Sequence, residues 1–318
     1  LKKILVIRFS SIGDIVLTTP VLRCLAKQTG AEIHFITKKS FAGIVENNPH
    51  VKKVHAISRV SEAADALKAE QYDFIVDLHH NLRSMQVKRL LGKPSASFPK
   101  LNVEKWLLVN FRVDRLPRVH IVDRYFETVK SLGVMNDGAG LDYFIPQRDE
   151  VDISTLPAAQ RTGYAAFVLG AKFGTKQLPE EKMIAIIRSL PQAVVLLGGK
   201  EEAELGARVA KACGEKAYNG CGVYNLNQSA SLVRQAQRVI THDTGLMHIA
   251  AAFKKKIHSA WGNTVPAFGM YPYLPAEGSK IIEVNNLPCR PCSKIGYAKC
   301  PHGHFDCMWQ IDEKEFST

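Results

Sequence analysis

Residues 3–14 read KILVIRFSSIGD. Lys3 to Phe9 is an almost unbroken apolar run, the pattern of a parallel strand buried on both faces. It passes straight into Ser10, Ser11 and Gly13, where a glycine permits a tight turn. Helical apolar spacing follows over Ile15–Lys27 and stops at Gly30. The alternation continues outward from this unit. Strands are predicted at Glu32–Thr37, Val54–Ile57 and Asp73–Leu78, and a helix over Ser61–Glu70 with Ser61 as its N-cap. Gly138 to Gly163, with Pro146, Pro157 and weak periodicity, reads as a boundary. Beyond it the pattern restarts, with strands at Tyr164–Leu169, Ala193–Leu197 and Arg238–His242. Helices are predicted at Pro179–Ser189, Glu201–Cys213 and Leu226–Gln235, and another from Gly245. Two alternating halves predict an α/β protein of two doubly wound domains, 1–150 and 151–318, facing a central cleft. In such sheets ligands bind at the carboxyl ends of the strands.

The composition agrees with a folded chain. Of 318 residues, 46% are hydrophobic and 23% charged, which excludes a disordered or fibrous protein. No window approaches the ~18 uncharged apolar residues of a membrane span. The first apolar run is too short for a signal peptide, so a cytoplasmic protein is expected. The formal net charge is +12, and it is unevenly spread. Between His79 and Arg124 ten basic residues face only Glu104, Asp114 and Asp123, an excess of seven. Such a segment suits an anionic partner, or is simply a solvated surface. Aromatic residues are sparse there and no nucleic-acid module is recognisable, so a membrane surface or acidic ligand is expected, and no nucleic acid.

Three motifs sit where a strand gives way to a helix. Ser10-Ser11-Ile12-Gly13-Asp14 follows the first strand. It is neither a Walker loop nor a dinucleotide fingerprint. Asp14 reads as a helix-start residue favoured by the macrodipole, or as a general base. Thr241 to His248 reads THDTGLMH, a strand end, a small-residue turn and a helix start. The amides of Thr244, Gly245 and Leu246 suit a phosphate. Asp243 and Thr244 also fit ordinary capping, and His248 fits a core histidine. Gly170 to Glu181 opens the second half, with Lys172 and Lys176 flanking Gly174 and Thr175. A lysine on such a loop either faces a pyrophosphate or is merely solvated.

In this order and spacing the three motifs closely resemble glycosyltransferase family 9, the bacterial lipopolysaccharide heptosyltransferases, over essentially the whole chain. The match runs through Ser10 to Asp14, Lys176 to Pro179 and Asp243 to Ala251, except that Leu178 stands where the family has tryptophan. The resemblance implies a GT-B fold of two Rossmann-like domains, with the acceptor on the N-terminal one and the nucleotide sugar on the C-terminal one. It implies transfer of heptose from ADP-heptose, with inversion and without a metal, to an anionic, lipid-linked lipopolysaccharide-precursor saccharide at the inner membrane surface. It places Asp14 as catalytic base, in a loop with Ser10, Ser11 and Gly13. It places Lys176, Glu202, Asp243, Thr244, Gly245, Leu246 and His248 on the donor, and Arg83 and Arg124 on the acceptor.

Cys289, Cys292, Cys300 and Cys307 fall within 19 residues, with His302 and His304 between them. This spacing suits a structural zinc site, or reduced and partly buried cysteines with no ligand. Two other readings keep much of this pattern. A sugar-nucleotide epimerase of the same architecture consumes donor without acceptor, and a nucleotide-sugar or polyanion-binding protein consumes none.

Overall fold

Strand β1 (Lys3–Ile7) lies at the centre of a parallel sheet with β2 (Glu32–Lys38), β3 (Lys53–Ile57), β4 (Phe74–Asp77) and β5 (Ser95–Ser97). The order is β3-β2-β1-β4-β5, with Val6 set between Phe35 and Val76. Ile4 to Ile7 are fully buried, as a strand covered by helices on both faces requires. In this computed structural model, which describes Lys2 to Ser317, a second parallel sheet repeats the plan. It contains β6 (Tyr164–Val168), β7 (Ala193–Leu197), β8 (Ala217–Asn219), β9 (Arg238–His242), β10 (Ile257–Trp261) and β11 (Lys280–Glu283). Its order is β11-β10-β9-β6-β7-β8. Strand order reverses beside β1 and β4 in the first sheet and beside β6 and β9 in the second. A crevice opens at such a reversal, at the carboxyl ends of the strands.

Each sheet has its own core. Leu5, Ile7, Phe9, Ile36, Ile75 and Val87 pack together in the first unit. Phe167, Met183, Ile187, Leu196, Ile240 and Met308 pack together in the second. The division differs from a simple cut near residue 150. The first unit takes the chain up to Leu101 and then Val119–Phe144, and the second takes Asn102–Arg118 and the chain from Ile145. Asn102–Arg118 is held to the second unit by Arg112, which donates to the Pro288 and Pro291 carbonyls at 3.0 and 2.9 Å. The basic segment from His79 to Arg124 is therefore shared between two units.

Two local expectations are corrected. The helix expected over Ile15–Lys27 is two helices, Ile12–Val16 and Thr19–Thr29. Pro20 has no amide to donate, and the Thr18 and Thr19 hydroxyls bond back to the Ile15 and Val16 carbonyls at 2.7 Å. Ser61 is not an N-cap. It lies inside a 3-10 turn, Val60–Ala63, and the α-helix runs Ala64–Ala69. Among the described residues no helix is long and apolar enough to cross a membrane.

Candidate active site

In the first unit, β1 ends in Arg8 and Phe9, followed by a cis peptide bond between Ser10 and Ser11. Asp14 is the third residue of the helix Ile12–Val16, with Ser11 as N-cap. Its Oδ2 accepts from the Ser11 amide at 3.1 Å and the Ser11 hydroxyl at 2.7 Å. Its Oδ1 meets Arg8 Nη2 at 2.5 Å. Arg8 is buried and also donates to the Leu78 carbonyl and the Tyr125 hydroxyl. Burial opposes the Arg8 charge, but Asp14, with Tyr125 and Asp77, more than restores it. Asp14 is thus a carboxylate fixed in place and aimed by a buried cation, as well as a helix-start residue.

The end of β4 supplies the neighbouring groups. Asp77 is fully buried and accepts from the amides of His79 and His80 at 3.0 and 2.7 Å and from the Ser84 hydroxyl at 2.8 Å. Burial alone raises its pKa, but those hydrogen bonds and Lys88 bring it below the ordinary aspartate value. His79 packs edge-on against Phe9, and burial pushes its pKa down to about 4, so it is neutral at pH 7. The Arg83 guanidinium lies 5.4 Å from the Phe9 ring centre. Arg124 is buried, and burial lowers its pKa. Asp14, Arg8 and Arg124 all act electrostatically on the buried Tyr125 phenol. Asp14, Arg83 and Arg124 therefore gather around the ends of β1 and β4. Arg8, Asp77 and His79 complete the group, and sequence reasoning missed them.

In the second unit the carboxyl ends of β6, β7 and β9 carry the other predicted residues. Glu202 Oε2 accepts from the Gly199 amide at 2.8 Å. A Cβ on Gly170 would lie 2.7–2.9 Å from the Glu202 carboxyl atoms, so a larger residue there would displace that carboxylate. Lys176 Nζ pairs with Asp243 Oδ2, which also accepts from the Thr264 hydroxyl at 3.0 Å. Thr244 is the N-cap of the helix Gly245–Ala252, and its side chain makes no capping bond. Asp243 to Leu246 are partly accessible, whereas Met247 to Ala251 are buried. His248 is thus placed inside the helix packing. Helix-start amides, an ammonium and two carboxylates converge on one sheet edge, a set suited to a diphosphate with hydroxylated groups on either side.

Two features behind this edge have structural roles that the sequence did not show. His242, fully buried at the end of β9, accepts the Leu178 amide on Nε2 at 3.0 Å, and burial pushes its pKa down to about 4. The second is the cysteine-rich tail. Thr175 exchanges two hydrogen bonds with the Tyr297 backbone, at 2.8 and 3.1 Å. Arg290 donates to the Gly262 and Thr264 carbonyls at 2.5 and 2.9 Å and pairs with Glu283. The tail braces both the Lys176 loop and the loop that steadies Asp243.

The four tail cysteines lie near one another, since Cys289, Cys292 and Cys300 all act electrostatically on Cys307. Among the described residues, the only three metal-ligating side chains with ligand atoms within 4.8 Å of one another are His34, His55 and Glu70. Cys289, Cys292, Cys300 and Cys307 are not brought together in that way. Cys307 packs in the apolar core beside Met308 and Ile311, and burial, with the neighbouring cysteines, pushes its thiol up to about 12. The His34–His55–Glu70 group is itself a closed network. Tyr72 Oη bridges the two imidazoles at 2.9 and 2.8 Å, and Lys3 and Lys53 hold Glu70.

Comparison with known proteins follows the same lines. Residues 60–300 match the model of glycosyltransferase family 9 (heptosyltransferase). The lipopolysaccharide heptosyltransferase 1 of Pseudomonas aeruginosa is 26% identical over 325 residues, covering 92% of this chain and 86% of that protein. The glycosyl transferase family 9 structure from Veillonella parvula superposes with a TM-score of 0.80 at 22% identity, covering 99% and 95% of the two chains. E. coli heptosyltransferase WaaC, solved with ADP-2-deoxy-2-fluoro heptose, gives a TM-score of 0.66 at 23% identity over 92% and 96%. The two parallel-sheet units are those of the GT-B fold. With three quarters of its length matched by the family model, the chain is a member of glycosyltransferase family 9, the heptosyltransferases.

Proposed function

We propose that this protein transfers heptose from ADP-heptose, with inversion at the anomeric carbon and without a metal, to an anionic lipid-linked saccharide of the lipopolysaccharide inner core. One observation carries the reading: Glu202, the Lys176–Asp243 pair and the start of the helix Gly245–Ala252 share the carboxyl edge of the second sheet. Glu202 suits the ribose hydroxyls of the adenosine. Lys176 and the amides of Thr244 to Leu246 suit the diphosphate, and Asp243, once Lys176 turns to phosphate, is left to accept sugar hydroxyls. A neighbour solved with an ADP-heptose analogue supports the donor, and the names of the curated relatives support the acceptor.

In the reaction the acceptor oxygen bonds to the anomeric carbon as the bond from that carbon to the phosphate oxygen breaks. The proton goes to Asp14 and ADP leaves, its new charge held by Lys176 and the helix amides. Arg8 and Ser11 hold the Asp14 carboxylate in place. Proton transfer belongs late in the step, when the acceptor oxygen has become acidic. Arg83 is assigned to the acceptor's anionic groups at the inner membrane surface, whereas buried Arg124 stands behind it against Tyr125. The test is donor consumption with and without a phosphorylated lipid-linked saccharide. Transfer predicts ADP release only with acceptor. Consumption without acceptor indicates an epimerase or hydrolase, and binding without turnover a binding protein.

A further inference from the structure

The helix Asn102–Phe111 reverses the usual arrangement of a surface helix. Its inward side holds buried Leu108 and Lys105, whose ammonium lies 5.9 Å from the Phe268 ring centre. Outward stand Val103, Trp106 and Phe111, which are 67%, 54% and 60% exposed. At 3.6 residues per turn Val103, Trp106 and Asn110 share one face, and Phe111 flanks it at the helix end. Asn110 turns its amide back onto the Trp106 carbonyl at 2.9 Å, so the face is apolar. The Trp106 and Phe111 rings meet edge to face at 5.1 Å. Lys294 in the tail reaches Asn102 Oδ1 at 3.4 Å, which sets Ile295, itself 54% exposed, beside the helix start. Exposed Arg115 and Arg118 follow the helix and exposed Lys294 meets its start, with Asp114 paired to Arg118.

An exposed aromatic stripe flanked by cations is the composition of a segment lying in a lipid interface. We propose that the helix Asn102–Phe111, with the adjoining turn at Ile295, docks on an anionic lipid bilayer. Trp106 and Phe111 sit at headgroup depth and Arg115 and Arg118 lie on the phosphates. A second copy of this chain would bring like charges together, whereas anionic lipid complements them. The inference rests on the proposed lipid-linked acceptor and assigns the surface to an element of the second unit.

The test uses the full chain carrying Trp309→Phe, so that Trp106 reports beside the buried Trp261. Phosphatidylcholine vesicles with phosphatidylglycerol should shift Trp106 emission to the blue, and acyl-brominated lipid should quench it. Vesicles of phosphatidylcholine alone should bind far less. Trp106→Ala with Phe111→Ala should abolish sedimentation with the anionic vesicles and leave transfer to a detergent-solubilised acceptor unchanged. Arg115→Ala and Arg118→Ala should each weaken vesicle binding about fivefold. Absent binding, binding without quenching, or self-association that depends on Trp106 overturns the docking surface. Vesicle binding by a protein that transfers no sugar leaves this surface standing and removes the proposed reaction instead.

Discussion

Asp14 joins a helix-start role to the proposed role in the reaction. It fills the third helix position, where a carboxylate caps Ser11, and its second oxygen is held by buried Arg8. Asp14→Asn keeps the shape and loses the proton acceptor. The turnover number should fall by ~10²–10⁴ while the donor KM stays unchanged, since the residues assigned to the donor are on the other sheet. Steady-state kinetics at saturating acceptor check this. His242 yields a prediction about stability. Its folded pKa is depressed to about 4, below the unfolded value near 6.5, so the unfolded chain binds more protons between those limits. The contribution is complete above pH 6.5 and is lost as pH falls, on the order of 2 kcal/mol by pH 5. Chemical denaturation at pH 7 and pH 5 should show the loss, and His242→Gln, whose amide oxygen can still accept the Leu178 amide, should flatten it. Asp14, Lys176 and Asp243 were legible because each follows a strand in a short motif. Arg8, Asp77 and His242 were not, because partners distant in sequence define their roles.

Elements behave as braced loops on rigid strands. The sequence announced β1, β6 and β9 by their apolar runs. It concealed the break before Thr19, where two threonine hydroxyls and Pro20 outweigh continuous helical spacing. It also concealed the tail, whose cysteines suggested a metal while its contacts come from Thr175, Tyr297 and Arg290. Leu178, which stands where the resemblance places tryptophan, is anchored to His242 through its backbone amide. Thr175→Val removes both hydroxyl bonds to Tyr297, keeps the Thr175 amide bond to its carbonyl, and should lower stability by about 1–2 kcal/mol. ADP binding should weaken in Thr175→Val, in the same sense as in Lys176→Ala, with adenosine binding nearly unchanged in both. Calorimetry with the two ligands checks this, and equal losses for adenosine would mean that the whole edge had been disturbed.

At the scale of the whole molecule, the basic excess is not one patch. Arg83 sits over Phe9 in the first unit, Lys105 faces Phe268 in the second, and Arg124 is buried. Arg83→Ala should raise the acceptor KM several-fold and leave ADP affinity unchanged, whereas Lys105→Ala should leave both unchanged with a detergent-solubilised acceptor. Similar effects from the two would reduce the segment to a general electrostatic surface. Lysine and helix amides are assigned the charge on departing ADP, so activity should survive EDTA. A strict need for Mg²⁺ or Mn²⁺ would contradict that assignment.

The most direct measurement follows product and ADP together, in EDTA, with ADP-heptose and a phosphorylated lipid-linked saccharide, for the unaltered protein and Asp14→Asn. The account predicts one glycosylated product of inverted anomeric configuration per ADP released, no ADP without acceptor, and almost none of either from Asp14→Asn. ADP released without acceptor, retained configuration, or normal turnover by Asp14→Asn would contradict it.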